Sequence, residues 1–134
     1  MNYSISLPEN DFYIVIKFNA PVTRELALKS AMEAGMVAAE KYGDKFVGYL
    51  VDSRGFPNVD TQFDNYEFAA IDSQHPQVDS SGPVAVIASQ GDDSHFSVEL
   101  AMQHMGIDFR VFTEENLAKD WLTKTVKTKR SETD

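Results

Sequence analysis

Five short β-rich runs punctuate this chain, and helical patterns fill the gaps between the last four. The runs are YSISL (3–7), FYIVIKF (12–18), KFVGYLV (45–51), VAVIAS (84–89) and IDFRVF (107–112). Each is too short for a stable helix and rich in the β-branched and aromatic residues that suit strands. FYIVIKF is nearly continuous in apolar side chains, as a strand covered on both faces is. YSISL alternates and runs into the turn-forming cluster Pro8-Glu9-Asn10-Asp11. The first two runs therefore read as an antiparallel hairpin with its first strand at a sheet edge.

The intervening segments carry helix signals. Thr23 is a candidate N-cap, Gly43 a candidate stop, and Leu28, Ala31, Met32, Gly35 and Ala39 form an apolar stripe between them. Asp60 or Thr61 opens an aromatic-rich helix to about Ile71. Residues 73–83 form a polar loop with two prolines and a glycine. Val98, Ala101, Met102 and Met105 mark a third helix that Gly106 ends, and Thr113 caps a fourth in which Leu117, Ala118, Trp121 and Leu122 turn inward. The order β-β-α-β-α-β-α-β-α predicts one α/β domain: a mostly parallel five-stranded sheet with helices on both faces and an N-terminal antiparallel hairpin. The domain is expected over 1–123, with 124–134 as a polar, basic, flexible tail.

Charge narrows the functions. The net charge is −9, and between Arg54 and Arg110 there are nine acids and no Lys or Arg. Nucleic-acid binding needs a basic footprint, so that class is set aside. There is no cysteine, which removes disulfides, thiolate metal sites and a cysteine nucleophile. No apolar run approaches the roughly 18 residues of a membrane span. The start, MNYSISLPEN, has neither the basic nor the apolar part of a signal peptide. A cytoplasmic location is expected.

The third strand ends on VDSRGFP (51–57), where an apolar run meets a carboxylate, a hydroxyl and a guanidinium. In open α/β sheets, ligands collect beyond the carboxyl ends of the strands. Asp52 and Arg54 therefore either pair as a strand cap or line a site, and Arg54 has Asp60 as a second acid within reach. Asp92, Asp93, Ser94 and His95 occupy the loop after the fourth strand, at the same end. Three chemistries fit this loop: helix N-capping, a cation site, or a metal-assisted hydrolase using Asp52, Asp92 and Asp93. Ser94-His95 is not a nucleophile and base, because sequence neighbours rarely face each other and no G-x-S-x-G elbow is present. The three histidines lack metal-ligand spacing, and there is no P-loop or dinucleotide fingerprint. No cofactor is expected. The aromatics Phe56, Phe63, Tyr66, Phe68 and Phe96 concentrate near the same strand ends, as core, as a dimer interface or as the wall of an apolar pocket.

Three stretches in order, LVDSRGF (50–56), SHFSVELAMQHMG (94–106) running into IDFRVF, and FTEENLAKDWL (112–122), resemble the SpoIIAA-like proteins of the STAS superfamily, small bacterial α/β domains. The resemblance implies a non-catalytic module that binds regulatory proteins, as a homodimer or with a basic partner. It also implies, as an alternative, a carrier of a small apolar or lipid-like ligand. The regulatory members of that superfamily switch on a serine in an Asp-Ser-Ser-Gly-like motif that opens a helix. Here Asp79-Ser80-Ser81-Gly82 precedes a strand instead, so that switch is not expected.

Overall fold

The computed structural model describes residues 2–59 and 81–133. The helix expected over 61–71, with Phe63, Tyr66 and Phe68, lies outside the described residues. The strands are β1 (Tyr3–Ser6), β2 (Tyr13–Phe18), β3 (Gly48–Asp52), β4 (Val84–Ile87) and β5 (Phe109–Phe112). The helices are α1 (Arg24–Tyr42), α2 (Phe96–His104) and α3 (Glu115–Thr133). The five strands lie in sequence order across one sheet. β1 pairs antiparallel with β2, and every other pair is parallel. The predicted sheet and hairpin are both present.

Alternation sorts the strand side chains into two faces. Ile14, Tyr49, Val84 and Phe109 are neighbours across β2 to β5, and they share a core with α1 at one end and α2 at the other. Leu50 and Ala85 face the other way, onto Ala118 and Leu122 of α3. Gly48 begins β3 at the tightest point of that second face. A Cβ there would stand 2.9 Å from Leu122 Cδ2 and 3.2 Å from the Pro83 carbonyl oxygen.

Several local expectations need correction. Thr23 does cap α1, its Oγ1 accepting from Leu26 N at 3.2 Å, and Gly43 ends the helix at φ +60°. The buried stripe, however, is Ser30, Ala34, Gly35 and Ala38, while Ala39 is exposed. The period is right and the phase is turned by one residue. An Ala-rich helix gives little contrast between faces, and small residues let its backbone lie close to the sheet. In α2, Val98, Ala101 and Met102 are buried, while Met105 lies at the surface. In α3, Leu117 is 54% exposed rather than inward.

The largest difference concerns the C-terminus. The expected tail from 124 onward is instead the second half of α3. Val126, one turn beyond Leu122, is fully buried. Arg130 donates to the carbonyls of Phe46 at 2.8 Å and Asp11 at 2.5 Å, and its guanidinium stands over the Phe12 ring. One cation thus ties the end of α3 to the two loops that precede β2 and β3.

Candidate functional site

Three segments meet beyond the carboxyl ends of β3 and β4. The loop after β3 runs beside the start of α1: Val22 N donates to Pro57 O at 2.9 Å, and Val59 N to Val22 O at 3.0 Å. The same loop is tied to the loop after β4 by serines. Gly55 N donates to Ser89 Oγ at 2.7 Å, and Asn58 N donates to Ser94 Oγ at 2.9 Å. Ser53 donates to the Ile87 carbonyl at 2.9 Å and is 0% exposed.

His95 completes this buried clasp. Its Nε2 is 3.2 Å from Ser53 Oγ and 3.7 Å from Asp92 Oδ2. Ser53 Oγ thus lies within hydrogen-bond distance of both the Ile87 carbonyl and the imidazole. Burial pushes the imidazole below its ordinary pKa, against the Asp92 carboxylate and the Phe56 main chain, which favour the charged ring. Burial also works to raise the Asp92 carboxyl. Hydrogen bonds from the Ser94 hydroxyl and amide and the nearby imidazole outweigh it, so Asp92 titrates below the usual range.

The N-capping expectation takes a different form here. The residue before α2 is His95, and its side chain caps nothing. Asp92 closes a turn instead, Oδ1 accepting from Ser94 N at 2.9 Å and from Ser94 Oγ at 2.6 Å. Asp93 is exposed.

A second cluster lies on the surface. Arg54 grips Asp52 through Nε at 3.0 Å and Nη2 at 2.9 Å, and Nη2 also donates to Glu115 Oε1 at 2.7 Å. Lys119 donates to Glu115 Oε2 at 2.8 Å, one turn along α3. The Arg54 hydrogen bonds hold the Asp52 carboxyl below its usual range, and the Lys119 and Arg54 bonds do the same for Glu115. Sequence reasoning paired Asp52 with Arg54. It missed Glu115, which is 61 residues away and carries no local signal for that contact.

These arrangements limit the chemistry. A catalytic serine must present its hydroxyl to substrate and pass its proton to a base. Ser53 is sealed from solvent and gives its proton to a carbonyl, and the carboxylate and the hydroxyl approach the same imidazole nitrogen. Among the described residues no three His, Asp or Glu side chains gather as a metal site. Asp52, Asp92 and Asp93 therefore do not make the acidic cluster a metal-assisted hydrolase requires.

Between α1, α2 and the sheet lies a cavity of about 110 Å³. Ile16, Val51 and Val86 of the sheet, Ala27 of α1, and Val98 and Met102 of α2 supply apolar wall. Thr23, Ser53, Asn58 and His95 bring polar groups from the strand-end loops. Of the expected site residues that are described, only His95 reaches it, and Phe56 is half-buried nearby in sequence. The remaining lining was not legible, because it depends on how α1 and α2 straddle the sheet.

No family model matches the chain, and no curated protein matches it. Among solved structures it is similar to the crystal structure of an uncharacterized protein of the DUF3478 family, with a SpoIIAA-like fold, from Shewanella loihica PV-4. The two align with a TM-score of 0.53 and 20% identity over 90% of this chain and 91% of that one. At that identity the likeness is one of fold, and the fold of this chain is SpoIIAA-like.

Proposed function

We propose that this protein is a non-catalytic binding domain of the STAS-like kind, and that it holds a small apolar group in the cavity between α1 and α2. The cavity is the observation that carries the reading. Among the described residues its wall is mostly apolar, and polar groups enter it from the strand-end loops. Its size sets the ligand class. A cavity near 150 Å³ accepts a benzene-sized molecule, while drug-sized ligands need roughly 300 Å³ or more. One ring or a short branched chain fits, and a whole lipid tail does not. The Ser53, Asn58 and His95 end favours a ligand with one polar atom.

Native mass spectrometry of gently purified protein, followed by thermal shift with indole and cyclohexanol, tests this. Retained mass or a probe-dependent rise in Tm is expected, and both should vanish in Ala27→Leu. A clean apo spectrum with no shift from either probe defeats the proposal. A second reading, a protein-interaction module, draws on Phe96 and Leu100. These two exposed apolar side chains lie one turn apart on α2, beside the acidic loop of Asp92 and Asp93, and suit a basic, apolar partner segment.

A further inference from the structure

The two edges of the sheet are built differently. On β5 the outward main-chain groups include Phe109 O and Val111 N, and α2 takes both. Gln103 Nε2 donates to Phe109 O at 2.9 Å, and Val111 N donates to Glu99 Oε2 at 2.6 Å. Glu99 and Gln103 are one turn apart, so a single helix face closes this edge to another strand.

β1 has no such cover among the described residues. Asn19 N donates to Asn2 O at 2.8 Å. With Tyr3 opposite Phe18, this turns the main-chain groups of Asn2, Ser4 and Ser6 toward β2, and those of Tyr3 and Ile5 point away from the sheet. Tyr3 and Ile5 place their side chains in the core beneath α1, and the Tyr3 hydroxyl donates to Glu33 of that helix. Leu7 continues the row and is 44% exposed.

Edge strands usually carry a charge or a proline that blocks further pairing. Residues 1–7 have neither, in a chain of net charge −9. Two copies repel at long range, but that repulsion is screened beyond about 8 Å at physiological salt. A contact can therefore form where local charge is absent.

We infer that β1 pairs antiparallel with β1 of a second copy about a twofold axis at Ile5, joining two five-stranded sheets into one. Ile5 N and O exchange bonds with the partner's Ile5, and Tyr3 lies opposite the partner's Leu7. The apolar row Tyr3-Ile5-Leu7 meets itself reversed, which is what an isologous interface requires. The dimer strengthens as salt rises. This inference is independent of the cavity and its ligand.

Sedimentation equilibrium of the full chain across a concentration series reads the dimer directly. Ile5→Pro removes an outward N–H and no bond to β2, so far-UV circular dichroism stays unchanged while dimerisation weakens by about tenfold or more. Leu7→Glu, at an exposed position, gives the same loss by a second route. Register is read by disulfides, since the chain has no cysteine of its own. Ser4 faces the partner's Ser6 at about 4.5 Å between Cα atoms. A mixture of Ser4→Cys and Ser6→Cys proteins should then cross-link on mild oxidation, and neither alone should. A monomer at every concentration overturns the inference, including one whose edge accepts an extended peptide from another protein. So does a dimer that Ile5→Pro leaves intact, or one that the cysteine mixture fails to cross-link.

Discussion

The two faces of the sheet make opposite use of their helices. α3 lies flat on its face. Ala118, Leu122 and Val126 are fully buried, Leu122 presses toward Gly48, and Arg130 clamps the far end. Among the described residues, α1 and α2 pack on the other face, with a cavity of about 110 Å³ between them. One helix spanning a face can close-pack along its whole length. Two helices flanking a face must be spaced by side chains, and the small residues Ala27, Ser30 and Ala34 of α1 fill little of that space. The α3 face supplies stability, and the α1/α2 face supplies room.

Breaking the tight face should have the largest effect. Gly48→Val puts a branched side chain against Leu122 and Pro83 and should cost about 3 kcal/mol or more in urea unfolding. Leu122→Ala should cost about 3 kcal/mol. Val98→Ala on the cavity face should cost about 1.5 kcal/mol, the worth of the buried methyls alone, because Val98 borders an existing pocket. Equal losses at Leu122 and Val98 would remove the distinction between the faces.

Ala27→Leu sharpens the comparison from the other side. Filling the cavity should leave stability within about 1 kcal/mol of the wild type or raise it, while abolishing uptake of the indole probe. A loss as large as that of Leu122→Ala would mean that the cavity wall has no slack.

Acid should act on the loops at the rim of the cavity. His95 has a lowered folded pKa, so the fold favours its neutral form. That contribution is complete well above the ordinary value near 6.5, and it is lost as pH falls through 6.5 toward the folded pKa. Tm should therefore decline in mild acid, and His95→Gln should flatten the decline. Asp11, Asp52, Asp92 and Glu115 are also lowered. Their loss begins in the ordinary carboxylate range and continues below it as pH falls, which separates the two effects. A profile in which His95→Gln keeps the full mild-acid slope would reject the assignment. The smallest effect is expected at Arg54→Ala. Arg54 and Glu115 are solvent-exposed and Asp52 is half-buried, and the change should cost about 1 kcal/mol or less by thermal unfolding.

Much of the architecture can be read from single residues. Thr23 and Gly43 mark the ends of α1 by their own chemistry, as cap and stop. The β-rich runs announce the strands, and their order implies a parallel sheet, because short strands separated by helices cannot connect otherwise. The polar tripeptide Asp52-Ser53-Arg54 points to the strand ends before any fold is known. Even the helical continuation past residue 123 left a trace, since Ala118, Leu122, Val126 and Arg130 recur every fourth position. The abundance of Lys and Thr between them masks it.

What the sequence by itself determined is therefore local or periodic: strands, caps, the sheet type and the absence of cysteine. Only the tertiary structure decided the phase of α1, the pairing of Arg54 with Glu115, the burial of Ser53 against His95, the cavity and the two unlike edges. Each of these depends on groups far apart in sequence, 42 residues for Ser53 and His95 and 61 for Arg54 and Glu115. A contact at that range is set by how elements pack, and neither residue carries a mark of its partner.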